Sequence, residues 1–284
     1  LGDAVIFASE TVALDVVGAT FVRAIEPGEL VIVQGAEIRS IRPFAPMAAR
    51  PCIFEWVYFS RPDSIVGDHS IYSVRKAIGA QLAIESPVEA DLVIPVPDSG
   101  TPAAIGYAQQ SGIPFELGII RSHYVGRTFI SPGDKVRHLG VKLKHNANRA
   151  LIKGKRVILV DDSIVRGTTS LKIVEMMREA GAAEVHMRIA SPPTRHSCFY
   201  GVDTPEREKL LAATHDLEGM RRYIGADSLA FLSIEGLYKA MGEESRNESC
   251  PQYTDHCFTG DYPTGLTDLA IAGPKRLAML AEAD

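Results

Sequence analysis

Apolar and polar positions change period several times along the chain, and the changes mark out its elements. In the first 45 residues two short apolar runs, AVIFAS (4–9) and ELVIV (29–33), read as strands around a turn at Glu26, Pro27, Gly28 and Glu29. The aromatic, β-prone stretch ARPCIFEWVYFSRPDS (49–64) ends at Pro62 and Asp63. In IYSVRKAIGAQLAIES (71–86) the spacing becomes helical, with Val74, Ile78, Leu82 and Ile84 as its apolar positions. DLVIPVPDSG (91–100) reads as a buried strand running into a turn. TPAAIGYAQQSG (101–112) reads as a helix stopped by Gly112, and FELGII (115–120) as a further strand. A long polar stretch (121–150) follows, carrying Arg121, Arg127, Lys135, Arg137, Lys142, Lys144 and Arg149, with Lys153 just beyond. KRVILV (155–160) is then a strand, LKIVEMMREAG (171–181) a helix with a glycine stop, and EVHMRIAS (184–191) a strand. Strands alternating with helices predict an α/β fold with a doubly wound, mostly parallel sheet, preceded by a β-rich segment.

Composition narrows the class. The chain has 284 residues, 46% hydrophobic and 23% charged, enough for a full core in one large domain or two small ones. A formal net charge of -5 argues against a nucleic-acid binder that works by bulk charge. No apolar run is long enough to span a bilayer, and no signal-peptide pattern is present. Four cysteines in this length do not suggest a disulfide scaffold, so a cytoplasmic protein with thiols or a metal centre is expected. The first residue is Leu1, and the opening reads as the middle of a domain, so a fragment or a chain separated from an amino-terminal partner is expected.

The chemistry concentrates in VILVDDSIVRGTTS (157–170). Four apolar residues suit a strand covered on both faces, and ligands of such sheets bind at the carboxyl ends of strands. Asp161 and Asp162 stand at that end. Gly167, Thr168, Thr169 and Ser170 lead into a helix, where N–H groups and hydroxyls can hold a phosphate. Two carboxylates repel that phosphate but suit sugar hydroxyls or a Mg²⁺ ion. The run therefore asks for a ligand with a phosphate at one end and a polyhydroxylated or metal-bound part at the other, and a ribose 5-phosphate fits. The plainer alternative is a solvated acidic turn in which the aspartates only cap the helix.

VILVDDSIVRGTTS resembles the phosphoribosyl-pyrophosphate (PRPP) motif of type I phosphoribosyltransferases, and with its flanks it resembles most the amidophosphoribosyltransferase family. IPVPDSG (94–100), HYVGRTFI (123–130), KLKHNANR (142–149), CFYGVDTP (198–205), YIGADSLAFLS (223–233) and CFTGDYPT (257–264) resemble that family in the same order. SETVALDVVGATFVRAIEPGE (9–29) resembles the last part of the family's glutaminase domain, of the type with an N-terminal nucleophile. The resemblance divides the chain into a glutaminase remnant (1–45) and a phosphoribosyltransferase domain (46–284). It implies that Asp161 and Asp162 serve the ribose hydroxyls and Mg²⁺, and that Ser163, Arg166, Gly167, Thr168, Thr169 and Ser170 line the 5-phosphate pocket. Asp98, Ser99 and Gly100 match the pyrophosphate loop, with Ser99 at a third Mg²⁺-associated position. The basic stretch resembles a loop that closes over PRPP, with Arg127, Lys142 and Lys144 as its diphosphate contacts, excluding water and meeting the leaving charge. The implied reaction is displacement of pyrophosphate from PRPP by ammonia, drawn from glutamine in the complete enzyme. Feedback inhibition by purine nucleotides and a homo-oligomer (dimer or tetramer) are implied as well.

The chain departs from the family pattern twice. The glutaminase nucleophile, an N-terminal cysteine, is lacking, so this chain is expected to use free ammonia only. One branch of the family holds a [4Fe–4S] cluster on four cysteines. Cys52 and Cys198 match two ligand positions, and SCPQYTDHCFTG (249–260) offers Cys250 and Cys257, but a further cysteine is expected near Thr254. Four buried free thiols are the alternative, and His196 and His256 beside cysteines leave room for zinc. Trp56 reads as core, and His138, His145, His186 and His215 as surface or loop residues. The other functions weighed are a type I enzyme acting on a free base, against which no base-binding hood is recognisable, and a non-catalytic PRPP- or nucleotide-binding regulator.

Overall fold

A computed structural model of the chain describes residues 4–35, 37–122, 145–202 and 204–266. Its frame is a four-stranded parallel sheet of β1 (Leu92–Pro95), β2 (Arg156–Asp161), β3 (Glu184–Ile189) and β4 (Ser228–Phe231), in the order β4-β3-β2-β1. The register sets Val160 opposite both Pro95 and Arg188, and Asp161 opposite Ile189. Strand β2 is continuous apolar because helices cover both faces of the sheet, and its side chains alternate between two cores. Ile158 and Val160 join Val93 in a core with Ile78, Leu82 and Tyr107. Val157 and Leu159 join Ile94 in a second core with Ile173, Val174 and Met177. The first core receives helices α1 (Ile71–Glu85) and α2 (Thr101–Ser111). The second receives α3 (Thr168–Glu179) and α4 (Leu217–Ile224). Helix α5 (Ile234–Ala240) packs on α1.

The helical spacings hold closely. Helix α1 is N-capped by Ser70, whose hydroxyl accepts from the Ser73 N–H, and α2 ends at Gly112 in the left-handed conformation (φ 72°). Val74, Ile78 and Leu82 are buried as expected, but Ile84 faces solvent.

Elsewhere tertiary contacts override local preference. AVIFAS is not a strand; the helix Thr11–Val17 follows it, and the β structure of this region is the hairpin Leu30–Gln34 with Glu37–Ile41. Within residues 49–64 the chain forms a short π-helix, Glu55–Phe59, rather than a strand. Phe54 stacks on Phe258 and Trp56 meets Tyr253 edge-on, at centroid separations of 5.7 and 5.5 Å. These contacts fold the segment against the carboxyl-terminal part, and the Arg75 side chain takes carbonyls that a strand would spend on a neighbour. FELGII does not join the parallel sheet as a strand. Phe115 makes one bridge to Val93, and Ile119–Arg121 pairs antiparallel with His145–Ala147. His145 and His186 are buried rather than superficial, and His186 is bridged by Ser228 and Glu184.

Candidate functional site

The carboxyl ends of β1 and β2 build the site. Asp161 and Asp162 are each only 6% exposed. The Asp162 N–H donates to Asp161 Oδ1 at 2.9 Å, and Ser163 Oγ donates to Asp162 Oδ1 at 2.5 Å. Burial drives the Asp161 carboxyl well above its ordinary range, and the Asp162 charge adds to the effect. Burial raises Asp162 as well, opposed by hydrogen bonds from Ser163 and Ser99 and by the charge of Arg75. Two adjacent carboxylates out of water disfavour a second negative charge, and that is the environment a hard cation or a set of sugar hydroxyls relieves. An all-oxygen set of two carboxylates with the Ser99 hydroxyl nearby fits Mg²⁺, which needs only one or two protein carboxylates and takes its other ligands from water and substrate.

Residues 98–100 close one side of this pair. Val96 N donates to the Val160 carbonyl at 2.9 Å, and Gly100 N to the Val96 carbonyl at 3.0 Å. A Cβ at Gly100 would meet the Val160 carbonyl oxygen at 2.3 Å and the Asp161 Cα at 3.2 Å, so only glycine lets this turn lie against the end of β2. Ser99 thereby reaches Asp162, while Asp98 is exposed and paired with Arg121.

Residues 163–170 close the other side. Ile164 is buried, and Leu211 N donates to the Val165 carbonyl at 2.9 Å, anchoring the loop from below. Gly167 turns the chain into α3 with φ +75°, where an added Cβ would meet Leu211 Cδ2 at 2.6 Å. No side chain caps α3, so the N–H groups of its first turn remain available to an anion. Thr168 and Thr169 are exposed at this end, as is Arg166, and Ser170 is buried beneath them. The structure thus brings together Asp98, Ser99, Gly100, Asp161, Asp162, Ser163, Arg166, Gly167, Thr168, Thr169 and Ser170 around one strand end. Arg127, Lys142 and Lys144 lie outside the described residues, as do Lys135, Arg137 and His138.

Sequence reasoning missed Arg75. Ile71, Arg75, Ile78 and Leu82 fall on one helical stripe, so a cation stood on the buried face of α1. That misplaced charge was the available signal.

The four cysteines do not form one centre. Cys52, Cys198 and Cys257 lie within electrostatic reach of one another, and burial drives the Cys52 and Cys257 thiols up. Cys250 is exposed. Thr254 pairs with Cys52 through the backbone, and its hydroxyl donates to the Arg50 carbonyl at 2.6 Å. Among the described residues no group of three or more His, Cys, Asp or Glu side chains is arranged to hold a metal ion. Four thiolates are what a [4Fe–4S] cluster requires, so Cys52, Cys198, Cys250 and Cys257 do not fit one here, and the zinc alternative with His196 and His256 fails on the same geometry.

A shallow groove of about 690 Å³, lined by Ala83, Ile84, Val88 and Gln110 among others, lies beside Arg156 at the opposite, amino end of β2 and shares nothing with the carboxylates. No helix among the described residues is long and apolar enough to cross a membrane.

Comparison with known proteins agrees with this fold. Residues 74–197 match the phosphoribosyl transferase domain family. The amidophosphoribosyltransferase of Rhizobium etli is 63% identical over 283 residues, covering 97% of this chain and 57% of that protein. That of Bacillus subtilis is 53% identical over 282 residues, covering 99% of this chain and 59% of that protein. A solved structure described as glutamine PRPP amidotransferase from B. subtilis complexed with ADP and GMP superposes with a TM-score of 0.82 at 52% identity, covering 90% of this chain and 56% of that one. The chain spans a little over half the length of these relatives. With an α/β type I phosphoribosyltransferase fold, the chain is similar along nearly all of its length to amidophosphoribosyltransferases, of which it spans a little over half.

Proposed function

We propose that the chain carries the phosphoribosyl-transfer half of an amidophosphoribosyltransferase, the first step of de novo purine synthesis, a pentosyltransferase reaction. The ammonia nitrogen bonds to C1 of PRPP, the C1–O bond to diphosphate breaks with its electron pair leaving on pyrophosphate, and ammonia gives up one proton. The products are 5-phosphoribosylamine and pyrophosphate. The observation that carries this reading is the adjacent buried pair Asp161–Asp162 at the end of β2, flanked by the 98–100 turn and by the uncapped start of α3.

In this reading the α3 N-terminus with Arg166, Thr168, Thr169 and Ser170 holds the 5-phosphate, and Asp161 and Asp162 hold the ribose hydroxyls. The 98–100 turn presents N–H groups to the diphosphate. Asp161, Asp162 and Ser99 would hold Mg²⁺, which when bound neutralises charge on the departing diphosphate. No protein nucleophile is required; positioning and charge stabilisation supply the rate. Arg127, Lys142 and Lys144 belong to the proposal as diphosphate contacts from a closing loop.

Residues 1–45 are proposed as the end of a glutaminase domain and 46–284 as the transferase domain. Support comes from the many exposed apolar side chains before residue 46, among them Phe7, Phe21, Val22 and Phe44, against the packed core cluster that begins at Ile53. In the complete enzyme glutamine would supply the ammonia. Inhibition by purine nucleotides, suggested by the ADP and GMP in the B. subtilis structure, a homo-oligomer and a cytoplasmic location complete the proposal.

The test is pyrophosphate release from PRPP and Mg²⁺ with either ammonium or glutamine. Release with ammonium alone is expected. Release with neither, from folded chain, would favour a regulatory PRPP binder.

A further inference from the structure

Gly167 is buried although its neighbours Arg166 and Thr168 are both exposed. Leu211 and Tyr223 cover it. A Cβ at Gly167 would meet Leu211 Cδ2 at 2.6 Å, Tyr223 Cε1 at 3.0 Å and Tyr223 Cδ1 at 3.3 Å. Leu211 is a core residue, 4% exposed and packed in the second core. Tyr223 is not. Helix α4 buries Met220 and Ile224, and Tyr223 stands on the flank of that pair, 39% exposed. The edge of its ring rests on Gly167, and its ring neighbour on α4's approach is His215, at a centroid separation of 6.1 Å. Its hydroxyl has no hydrogen-bond partner among the described residues. The ring thus leaves the core and closes on the residue whose left-handed conformation (φ +75°) turns the chain into α3. That residue has no Cβ to restrict its backbone angles, and no side chain caps the helix it opens. The direction of the first N–H groups of α3 therefore depends on what packs against Gly167 from outside the loop.

We infer that Tyr223 is a positioning residue for the anion-binding loop 163–170: its ring holds Gly167 in the left-handed turn and so keeps the N–H groups at the start of α3 aimed at the 5-phosphate. Leu211 supports the same loop from the core, through its side chain and through its N–H to the Val165 carbonyl. Tyr223 closes it from the rim and need touch neither substrate nor reacting atoms. This inference rests on the proposed role of the α3 N-terminus in holding the 5-phosphate.

The test compares wild type, Tyr223→Phe and Tyr223→Ala in calorimetric binding of ribose 5-phosphate and of magnesium pyrophosphate, in KM and kcat of ammonium-dependent pyrophosphate release, and in thermal unfolding. Tyr223→Ala is expected to raise Kd for ribose 5-phosphate and KM for PRPP about tenfold, the scale of weakening a hydrogen bond to a charged group, with kcat changed less. Its Kd for magnesium pyrophosphate should stay at the wild-type value, because that ligand belongs to the 98–100 side of the site. Tyr223→Phe keeps the ring and should bind both ligands as wild type does. Unchanged ribose 5-phosphate binding in folded Tyr223→Ala would overturn the inference. Equal losses for both ligands, in step with Tm, would also overturn it and leave Tyr223 a packing residue. A loss in Tyr223→Phe as large as in Tyr223→Ala would overturn it too, by assigning the effect to the hydroxyl rather than the ring. If Tyr223→Ala does not fold, Tyr223→Leu decides: a selective loss of ribose 5-phosphate affinity supports the inference, and any other pattern overturns it. A wild type that binds magnesium pyrophosphate but not ribose 5-phosphate would overturn the 5-phosphate reading, and the inference with it.

Discussion

Two regions of the molecule, the carboxylate end of β2 and the cysteine corner, differ in how they are assembled and in what they store. The carboxylate end comes from one contiguous run, residues 157–170, with the 98–100 turn against it. Its groups sit in a state the fold disfavours, since burial raises both aspartates. The cysteine corner comes from residues 52, 198 and 250–257, far apart in sequence, and its buried charges are paired from within. Arg246 Nε donates to Asp255 Oδ2 at 2.7 Å and Arg246 Nη2 to Asp261 Oδ2 at 2.6 Å, while Tyr238 Oη and Thr259 Oγ1 each reach Asp255 at 2.9 Å. Asp255 is fully buried at the centre of this network. A site that waits for a ligand keeps unbalanced charge, and a corner that only holds the fold balances it.

Asp162→Asn would press this contrast hardest. It should lower ammonium-dependent turnover on the order of 10³-fold, the scale of losing a preorganised electrostatic contact, and near-normal turnover would refute the ribose assignment. The same variant should not lose stability. A carboxyl whose folded pKa is raised binds more protons folded than unfolded, so its ionisation weakens the fold as pH rises from its unfolded pKa toward its folded one. Removing that carboxyl should therefore raise Tm at neutral pH, and the wild type should lose less stability than the variant on mild acidification.

The corner should answer oppositely. Arg246→Met leaves Asp255 buried without its cation and should cost about 3–5 kcal/mol in denaturant unfolding, with KM for PRPP in the remaining folded protein little changed. A loss below about 1 kcal/mol would mean that the network is solvated in solution. The smallest expected effect is at Cys250. Because it is exposed and the described residues offer no metal-holding group of three or more such side chains, Cys250→Ser should leave Tm unchanged, and anaerobically purified chain should hold far less than a full cluster of iron. A stoichiometric iron and sulfide content that Cys250→Ser abolishes would reverse the reading of the corner.

The run 157–170 was legible because each of its signals is local. An unbroken apolar tetrad says strand, and a glycine among hydroxyl residues says an anion-binding start of a helix. The reading of residues 49–64 as β-prone failed because Phe54 and Trp56 find Phe258 and Tyr253 some 200 positions later, and because Arg75 takes the carbonyls. FELGII failed for a similar reason: only Phe115 bridges to β1, and Ile119–Arg121 is taken by His145–Ala147.

By itself the sequence determined the α/β class, the helices α1 and α2 almost to the residue, and the strand β2 with two aspartates at its end. Period, caps and turn glycines act over a few residues and need no partner to be read. Only the tertiary structure decided that Gly100 brings the 98–100 turn against Asp161, that Arg75 is buried on the carbonyls of Trp56 and Ser60, and that Cys257 is buried while Cys250 is exposed. Those are distances between segments remote in the chain, set by which apolar faces pack together, and no local pattern encodes them.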